Sequence, residues 1–259
     1  MTITRAMIFA AGLGTRFKPW TDAHPKALAP VNGKSLLQRN IEYLQRAGIY
    51  EVVINVHHFA DQILEALRAS DGWGSRIFIS DETDQVLETG GGLQKARPWL
   101  EAAPFVLLNV DILTDLDLSV MIRDHFQHRP LATLAVSQRE TSRYFLFDRQ
   151  QELCGWTNVK TGEVKMARPG GETGGAGTGA AHAGRVPEEQ ELAQKAFSGI
   201  HVIDPAIFPL LQRQGKFSMV DVYLDLAGAH TIRGYDHSGA RLIDVGRPES
   251  ALEAARLFP

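Results

Sequence analysis

The sequence of 259 residues is poor in cysteine, in excess charge and in long apolar runs. Its single cysteine, Cys154, cannot form an internal disulfide, which predicts a reducing, cytoplasmic environment. The formal net charge is −3, whereas a broad nucleic-acid surface needs an excess of basic residues. No apolar run reaches the length of a membrane span, and residues 1–6 do not have the pattern of a signal peptide. We therefore expect neither nucleic acid nor a membrane as a partner.

A glycine turn after an apolar run is the most informative stretch of the chain. Residues 7–11 are apolar and lead into a turn that contains Gly12 and Gly14, which is typical of a buried strand that ends in a loop. Because glycine carries no β-carbon, this backbone can approach a ligand closely and offer its N–H groups to an anion. Arg16 and Lys26 add positive charge that suits phosphate. The stretch therefore predicts a polyphosphate site.

Two better-known phosphate motifs are absent from this stretch. In the dinucleotide fingerprint G-x-G-x-x-G, the third glycine would fall at Phe17. A Walker P-loop needs four residues between its glycines and a terminal Gly-Lys-Ser/Thr, which this stretch also lacks. A tight turn that merely contains glycines is the simpler alternative. The nearby Arg16, Lys26 and three prolines favour the phosphate site over that alternative.

Hydrophobic periodicity predicts strands and helices that alternate along the first half of the chain. Strands are predicted at residues 7–11, 52–56, 76–80 and 105–110, and helices at 35–44, 59–69 and 91–100. This alternation is typical of an α/β fold with a doubly wound, mostly parallel sheet flanked by helices. Ligands of such sheets bind beyond the carboxyl ends of the strands.

The second half of the chain has a different pattern. Strands are predicted at 131–137, 144–148, 153–156, 196–203 and 242–245, and helices at 205–214, 219–229 and 249–257. Since helices do not regularly separate these strands, we expect antiparallel additions and a mixed sheet. The Gly/Ala/Thr tract 169–185 cannot bury much apolar surface and is predicted to be a flexible loop. The whole chain, 1–259, is predicted to be one domain with halves 1–130 and 131–259.

Two aspartates lie in or directly after apolar strands. Asp111 follows the most apolar strand, where an acid either begins a turn or binds a metal. Asp244 lies within the apolar run 242–245, and burying it is costly unless it is paired or coordinates a cation. The two residues are far apart in the sequence, so only the fold could bring them together.

The segment from Ala10 to Val31 resembles the signature of the sugar-1-phosphate nucleotidyltransferases. The matching residues are Ala10-Ala11-Gly12-Leu13-Gly14-Thr15-Arg16, then Pro19, Thr21, Pro25-Lys26, Leu28 and Pro30-Val31. The resemblance implies a Rossmann-like nucleotidyltransferase fold of the GT-A type. It also implies that a nucleoside triphosphate (NTP) and a sugar 1-phosphate react to give a nucleoside-diphosphate sugar and pyrophosphate.

Residue roles follow from the same resemblance. It implies catalytic roles for Arg16, Lys26 and Asp111, and Mg²⁺ binding by Asp111 and Asp244, the latter in a match to D-V-G-x-P. Implied nucleotide contacts are Ala11, Gly12, Gly14, Thr15, Arg16, Lys26, Thr89, Gly90, Gly91 and Asn109. Ser198 and Gly199, in a match to F-x-G-I, are implied to contact the sugar, as is Asn158, for which an Asx turn is the alternative. Arg168 is the candidate for the sugar phosphate, with Lys165 and Lys195 as rivals.

The substrate is implied by one short motif. Glu88-Thr89-Gly90-Gly91-Gly92 resembles the version in N-acetylmuramate-1-phosphate uridylyltransferases, which implies UTP, N-acetylmuramate 1-phosphate and cell-wall recycling. A mannose- or heptose-1-phosphate guanylyltransferase is the alternative, and choline-phosphate cytidylyltransferases share the opening motif. A non-catalytic, sugar-nucleotide-binding regulatory subunit would be expected to lack the basic or acidic site residues, which are present. We expect a monomer or a small homo-oligomer.

Overall fold

The computed structural model describes residues 2–167 and 192–259. Arg168 and the tract 169–185 lie outside these residues, so the predictions made for them stay predictions. The strands are β1 (Arg5–Phe9), β2 (Pro30–Val31), β3 (Lys34–Ser35), β4 (Glu51–Val56), β5 (Arg76–Asp81), β6 (Phe105–Asn109), β7 (Ile112–Thr114), β8 (Ala132–Ser137), β9 (Arg143–Phe147), β10 (Leu153–Asn158), β11 (Glu163–Met166), β12 (Ala193–Ile203), β13 (Ile232–Asp236) and β14 (Leu242–Asp244). The α-helices are α1 (Leu36–Arg46), α2 (Ala60–Ala69), α3 (Glu88–Lys95), α4 (Arg97–Leu100), α5 (Leu118–His128), α6 (Met219–Leu226) and α7 (Pro248–Leu257).

A mixed sheet forms the centre of the described residues. Its strands follow the order β11-β10-β9-β12-β6-β1-β4-β5, and β8 pairs with both β12 and β13. The neighbours β6, β1, β4 and β5 are parallel, as are β8 and β13. By contrast, β12 is antiparallel to β6, β8 and β9, and β9 to β11 form antiparallel pairs. The predicted fold, a mixed sheet with a parallel first half and antiparallel additions, is confirmed.

Strand β1 shows why the sheet is covered by helices on both faces. Its residues Ala6 and Ile8 belong to one buried cluster, together with apolar residues of α1, α2, α5 and α7. Met7 and Phe9 belong to a second cluster on the opposite face, with residues of α3, α4 and α6. Because side chains alternate along a strand, a strand buried on both faces is a continuous apolar run. The parallel strands then end at one edge, where Phe9 and Asn109 are neighbours.

Most predicted helices are present, with two differences. The Ser35 hydroxyl accepts a hydrogen bond from the Gln38 backbone at 3.1 Å and begins α1 as expected for a cap. The predicted helix 91–100 is instead two short helices, α3 and α4, and α4 begins next to Pro98, whose ring cannot continue the hydrogen bonding of α3. Residues 205–214 form a shorter 3₁₀ helix, Pro205–Leu210. Within 2–167 and 192–259, no helix combines the length and the apolar character that crossing a membrane requires.

Candidate active site

A cleft of about 450 Å³ opens at the carboxyl ends of β1, β4 and β6. Residues of the glycine loop form one wall, and residues from the ends of the neighbouring strands form its floor. The lining residues include Ala11, Gly12, Gly14, Thr15, Arg16, Lys26, Asn55, Glu82, Glu88, Thr89, Asn109, Asp111, Lys216 and Gly246. The structure thus brings together eight of the ten predicted nucleotide residues, the exceptions being Gly90 and Gly91.

The two glycines of the loop serve different purposes. Gly14 has a left-handed φ of 60°, and a β-carbon there would lie 2.8 Å from Cγ2 of Thr21. Its carbonyl accepts hydrogen bonds from the Phe17 backbone at 2.8 Å and from the Thr21 hydroxyl at 2.9 Å. Gly12 has no atom within 4 Å of the corresponding position. Gly14 is therefore required by the backbone turn, whereas Gly12 leaves space in the cleft.

A buried polar pair supports the floor of the cleft and was not predicted. Oδ1 of Asn55 accepts a hydrogen bond from the Ala10 backbone at 2.7 Å, and its amide donates to Glu82 at 2.8 Å. Glu82 is fully buried, and burial raises the pKa of its carboxyl against the opposing effect of its hydrogen bonds to Asn55 and the Leu87 backbone. Asn55 interrupts a β-branched run, and a polar residue in such a strand is the signal that could have identified it.

The two predicted metal ligands meet through a short strand pair. Asp244 at the end of β14 faces Ile112 of β7, and the Val245 backbone donates to the Asp111 carbonyl at 2.8 Å. Nζ of Lys26 lies 2.5 Å from Oδ2 of Asp111. Although Asp244 is exposed to solvent, partial burial of its carboxyl and then the negative charge of Asp111 raise the pKa of that carboxyl. The acids therefore repel each other, and a cation would relieve this repulsion.

Arg16 completes the charged group. It lies in the 3₁₀ turn Thr15–Phe17, and a β-carbon on Gly246 would be 3.5 Å from its Nη2 and 2.9 Å from Oδ1 of Asp244. No carboxylate of the described residues lies within salt-bridge distance of this guanidinium, so its charge is available to an anion. Arg16, Lys26 and Asp111 line the cleft, and Asp244 lies next to its lining residue Gly246, so the four charged residues come together there.

Comparisons with known proteins agree with this geometry. Residues 6–169 match the family model of the MobA-like NTP transferase domain. The chain belongs to the MobA-like NTP transferase family. It is 32% identical to the N-acetylmuramate alpha-1-phosphate uridylyltransferase of Caulobacter vibrioides, over 97% of this chain and 96% of that protein. It is 26% identical to the mannose-1-phosphate guanylyltransferase catalytic subunit beta of Drosophila pseudoobscura pseudoobscura, over 98% of this chain and 62% of that protein.

The fold is shared with solved structures. The crystal structure of HddC from Yersinia pseudotuberculosis superimposes with a TM-score of 0.73 at 22% identity, covering 99% of this chain and 100% of that chain. The Rossmann-like, GT-A-type architecture expected for an NTP transferase domain is therefore confirmed for this chain.

The triple glycine of this NTP transferase is explained in part by packing. The Gly90 backbone donates to the Phe217 carbonyl at 2.8 Å. A β-carbon on Gly90 would lie 2.3 Å from the Phe217 ring, and one on Gly91 would lie 2.2 Å from the Gly215 carbonyl oxygen. The start of α3 therefore packs closely against the segment 215–217. Lys216 of this segment lines the cleft, and its Nζ lies 3.4 Å from Oε1 of Glu88. Base contacts by Gly90 and Gly91 stay predictions.

Replacing Gly91 with Ala is expected to lower the free energy of unfolding by about 1–3 kcal/mol, because the new methyl group overpacks against a backbone carbonyl that cannot rotate away. Chemical denaturation measures this change. Gly239→Ala is the matched control, since a β-carbon at Gly239 would have no atom within 4 Å. Equal stability of the two variants would contradict the packing explanation.

The predicted sugar residues occupy less open positions. The Ser198 side chain is fully buried, and its hydroxyl lies 2.7 Å from Nε2 of His237. Gly199 has a left-handed φ of 72°, and a β-carbon there would lie 2.9 Å from the Asn109 amide. The Asn158 carboxamide accepts from the Lys160 backbone at 3.1 Å, which is the Asx turn given as its alternative. Sugar contacts by these three residues stay predictions.

The rival lysines for the sugar phosphate are already paired. Nζ of Lys195 lies 2.6 Å from Oδ2 of Asp236, and this lysine is buried. Lys165 lies 3.5 Å from Glu163 and contacts the ring of Trp156. Arg139 is a further cation, whose positive charge opposes the rise in the pKa of Asp244 after those of Lys26 and Arg16. Arg139 was not predicted, since nothing in its local sequence indicates the site.

Proposed function

We propose that this chain transfers a uridylyl group from UTP to N-acetylmuramate 1-phosphate and releases pyrophosphate. Sugar-1-phosphate nucleotidyl transfer is the reaction class supported by the family, by the relatives and by the conjunction of Arg16, Lys26, Asp111 and Asp244 at one cleft. That conjunction is the observation that carries the proposal. The uridylyl and muramate assignments are supported by the Caulobacter relative, which matches along nearly the whole chain, and by the E-T-G-G-G motif.

The residues of the cleft act by position and charge. The acceptor phosphate is already an anionic nucleophile, so its attack on the α-phosphate needs no general base. The backbone of the Gly12–Gly14 turn and the guanidinium of Arg16 hold the β- and γ-phosphates, which leave as pyrophosphate. Lys26 neutralises charge close to the α-phosphate, where it also contacts Asp111.

The acids fit a divalent cation. Carboxylate oxygens are hard ligands of the kind that Mg²⁺ prefers, and a bound cation would relieve the charge repulsion at Asp244. The described residues contain no group of three or more metal-ligating side chains, so Asp111 and Asp244 would hold the ion with water and phosphate oxygens. When bound, Mg²⁺ would neutralise the negative charge that develops on the phosphates.

A matrix of nucleotides and acceptors tests the proposal. UTP, GTP, CTP and ATP would each be combined with the 1-phosphates of N-acetylmuramate, N-acetylglucosamine, mannose and heptose, and with choline phosphate, in the presence of Mg²⁺. We expect the highest rate of pyrophosphate release with UTP and N-acetylmuramate 1-phosphate. A preference for GTP with mannose or heptose 1-phosphate would replace the proposal by the guanylyltransferase alternative. Nucleotide binding without release from any pair would favour a regulatory protein.

A further inference from the structure

Arg139 is a half-buried cation with unused hydrogen-bonding capacity. It follows β8, and its Nη2 donates to the Phe197 carbonyl at 2.9 Å. Its Nε is buried and has no hydrogen-bond partner in the described part of the chain. Within 2–167 and 192–259, no carboxylate lies within salt-bridge distance of its guanidinium. Since partial burial of an unpaired guanidinium is costly, this arrangement favours an anionic ligand.

The surroundings of Arg139 place it next to the strand that is predicted to contact the acceptor sugar. Its contact residue Phe197 comes two positions before Gly199, which packs against Asn109 in the cleft. Burial lowers the pKa of the nearby His237, whose Nε2 lies 2.7 Å from the Ser198 hydroxyl, and the positive charge of Arg139 adds to this lowering. An anion bound to Arg139 would lie beside the strand that contains Phe197 and Gly199.

We propose that Arg139 binds a carboxylate carried by the acceptor sugar and thereby selects an acidic sugar 1-phosphate. This inference rests on the proposed function and deepens it. The phosphates already have Arg16, Lys26 and the ion that the two aspartates would hold, so a further cation beside the strand that contains Phe197 and Gly199 matches a second negative group. A guanidinium is the side chain best suited to a carboxylate, because it is planar, always charged and rich in donors.

The decisive comparison uses two acceptors, of which only one carries a carboxylate. N-acetylmuramate 1-phosphate carries a lactyl ether, and N-acetylglucosamine 1-phosphate has a hydroxyl group in its place. With UTP saturating, Arg139→Gln is expected to lower kcat/KM for the muramate by about 10- to 100-fold, the size expected for a hydrogen bond to a charged group. We expect the loss to arise from KM, with less than about a threefold change for the glucosamine acceptor, because an interaction made equally before and during reaction affects binding alone.

A second arginine of the same chain provides the control variant. Arg143→Gln removes the same charge from an exposed position at the start of β9. It is expected to leave kcat/KM unchanged for both acceptors. An equal loss for both acceptors would overturn the inference and assign Arg139 to the phosphate. An unchanged kcat/KM for the muramate would overturn it as well. Unchanged thermal unfolding of Arg139→Gln verifies that the variant is folded.

Binding of the product sugars separates this inference from the proposed function. If the wild-type chain releases no pyrophosphate, the proposed function fails, but calorimetry still measures affinity for UDP-N-acetylmuramate and UDP-N-acetylglucosamine. We expect the wild-type chain to prefer the muramate product by about 10-fold or more and Arg139→Gln to lose that preference. Absence of a preference in the wild-type chain, or its retention in the variant, would overturn the inference.

Discussion

Replacing Asp111 with Asn is expected to lower turnover by a factor of roughly 10² or more, because a charge-stabilising group is lost where charge develops in the transition state. The structure adds a second reason. Asp111 also accepts a hydrogen bond from Nζ of Lys26 at 2.5 Å, so the change removes the negative partner that holds this lysine in position. Pyrophosphate release at saturating substrate and matched Mg²⁺ concentration measures the effect.

A matched substitution six residues further along the chain provides the control. Asp117 caps α5 by accepting hydrogen bonds from the Ser119 and Val120 backbone, and Asn is an equally good cap. Asp117→Asn is therefore expected to retain wild-type turnover. Asp111→Asn with turnover close to that of this control would remove Asp111 from the catalytic group. Rescue of Asp111→Asn by higher Mg²⁺ concentration would assign its main role to metal affinity.

The fold was predictable where burial is simple. Strands β1, β4 and β6 are buried on both faces, so their continuous apolar sequences identify them as strands. The cap residue Ser35 identifies the start of α1. Helix α5 was missed because His125, a polar residue, occupies its buried face and weakens the apolar periodicity. Strand β13 was missed because it contains Gly234, a poor strand former, which is needed for close approach to the Phe147 ring.

Only those residues of the candidate site that belong to sequence motifs could be predicted. The resemblance paired Asp111 with Asp244, but their approach depends on β7 and β14, strands of three residues whose pairing no local pattern specifies. Lys216 and Arg139 were missed because their relevance comes from tertiary packing and not from their neighbours in sequence. At Gly91 the motif indicated a base contact, whereas the structure adds a packing requirement against Gly215.

Lowering the pH from 7 to 5 is expected to reduce the free energy of unfolding through two buried histidines. Burial lowers the pKa of His125 from its ordinary 6.5 to about 4 and that of His201 to about 3. Both are held by hydrogen-bond partners, Thr133 at 2.9 Å and the Tyr223 hydroxyl at 2.6 Å. Between pH 6.5 and about 4, the unfolded chain binds protons that the folded chain excludes, so stability falls as the pH falls. Proton linkage predicts that each histidine lowers the free energy of unfolding by about 2 kcal/mol between pH 7 and 5.

Variants isolate this effect from groups that titrate in the opposite sense. The carboxyls of Glu82 and Asp244 have raised pKa values in the folded chain, so their protonation stabilises the fold on acidification and offsets part of the loss. His125→Gln and His201→Gln remove one titrating group each, and each is expected to reduce the difference in unfolding free energy between pH 7 and 5 by about 2 kcal/mol. His24→Gln, at an exposed position, is the matched control for the substitution itself. Denaturant titrations at both pH values measure the difference in unfolding free energy, and full pH dependence in both buried-site variants would show that these histidines are not its source.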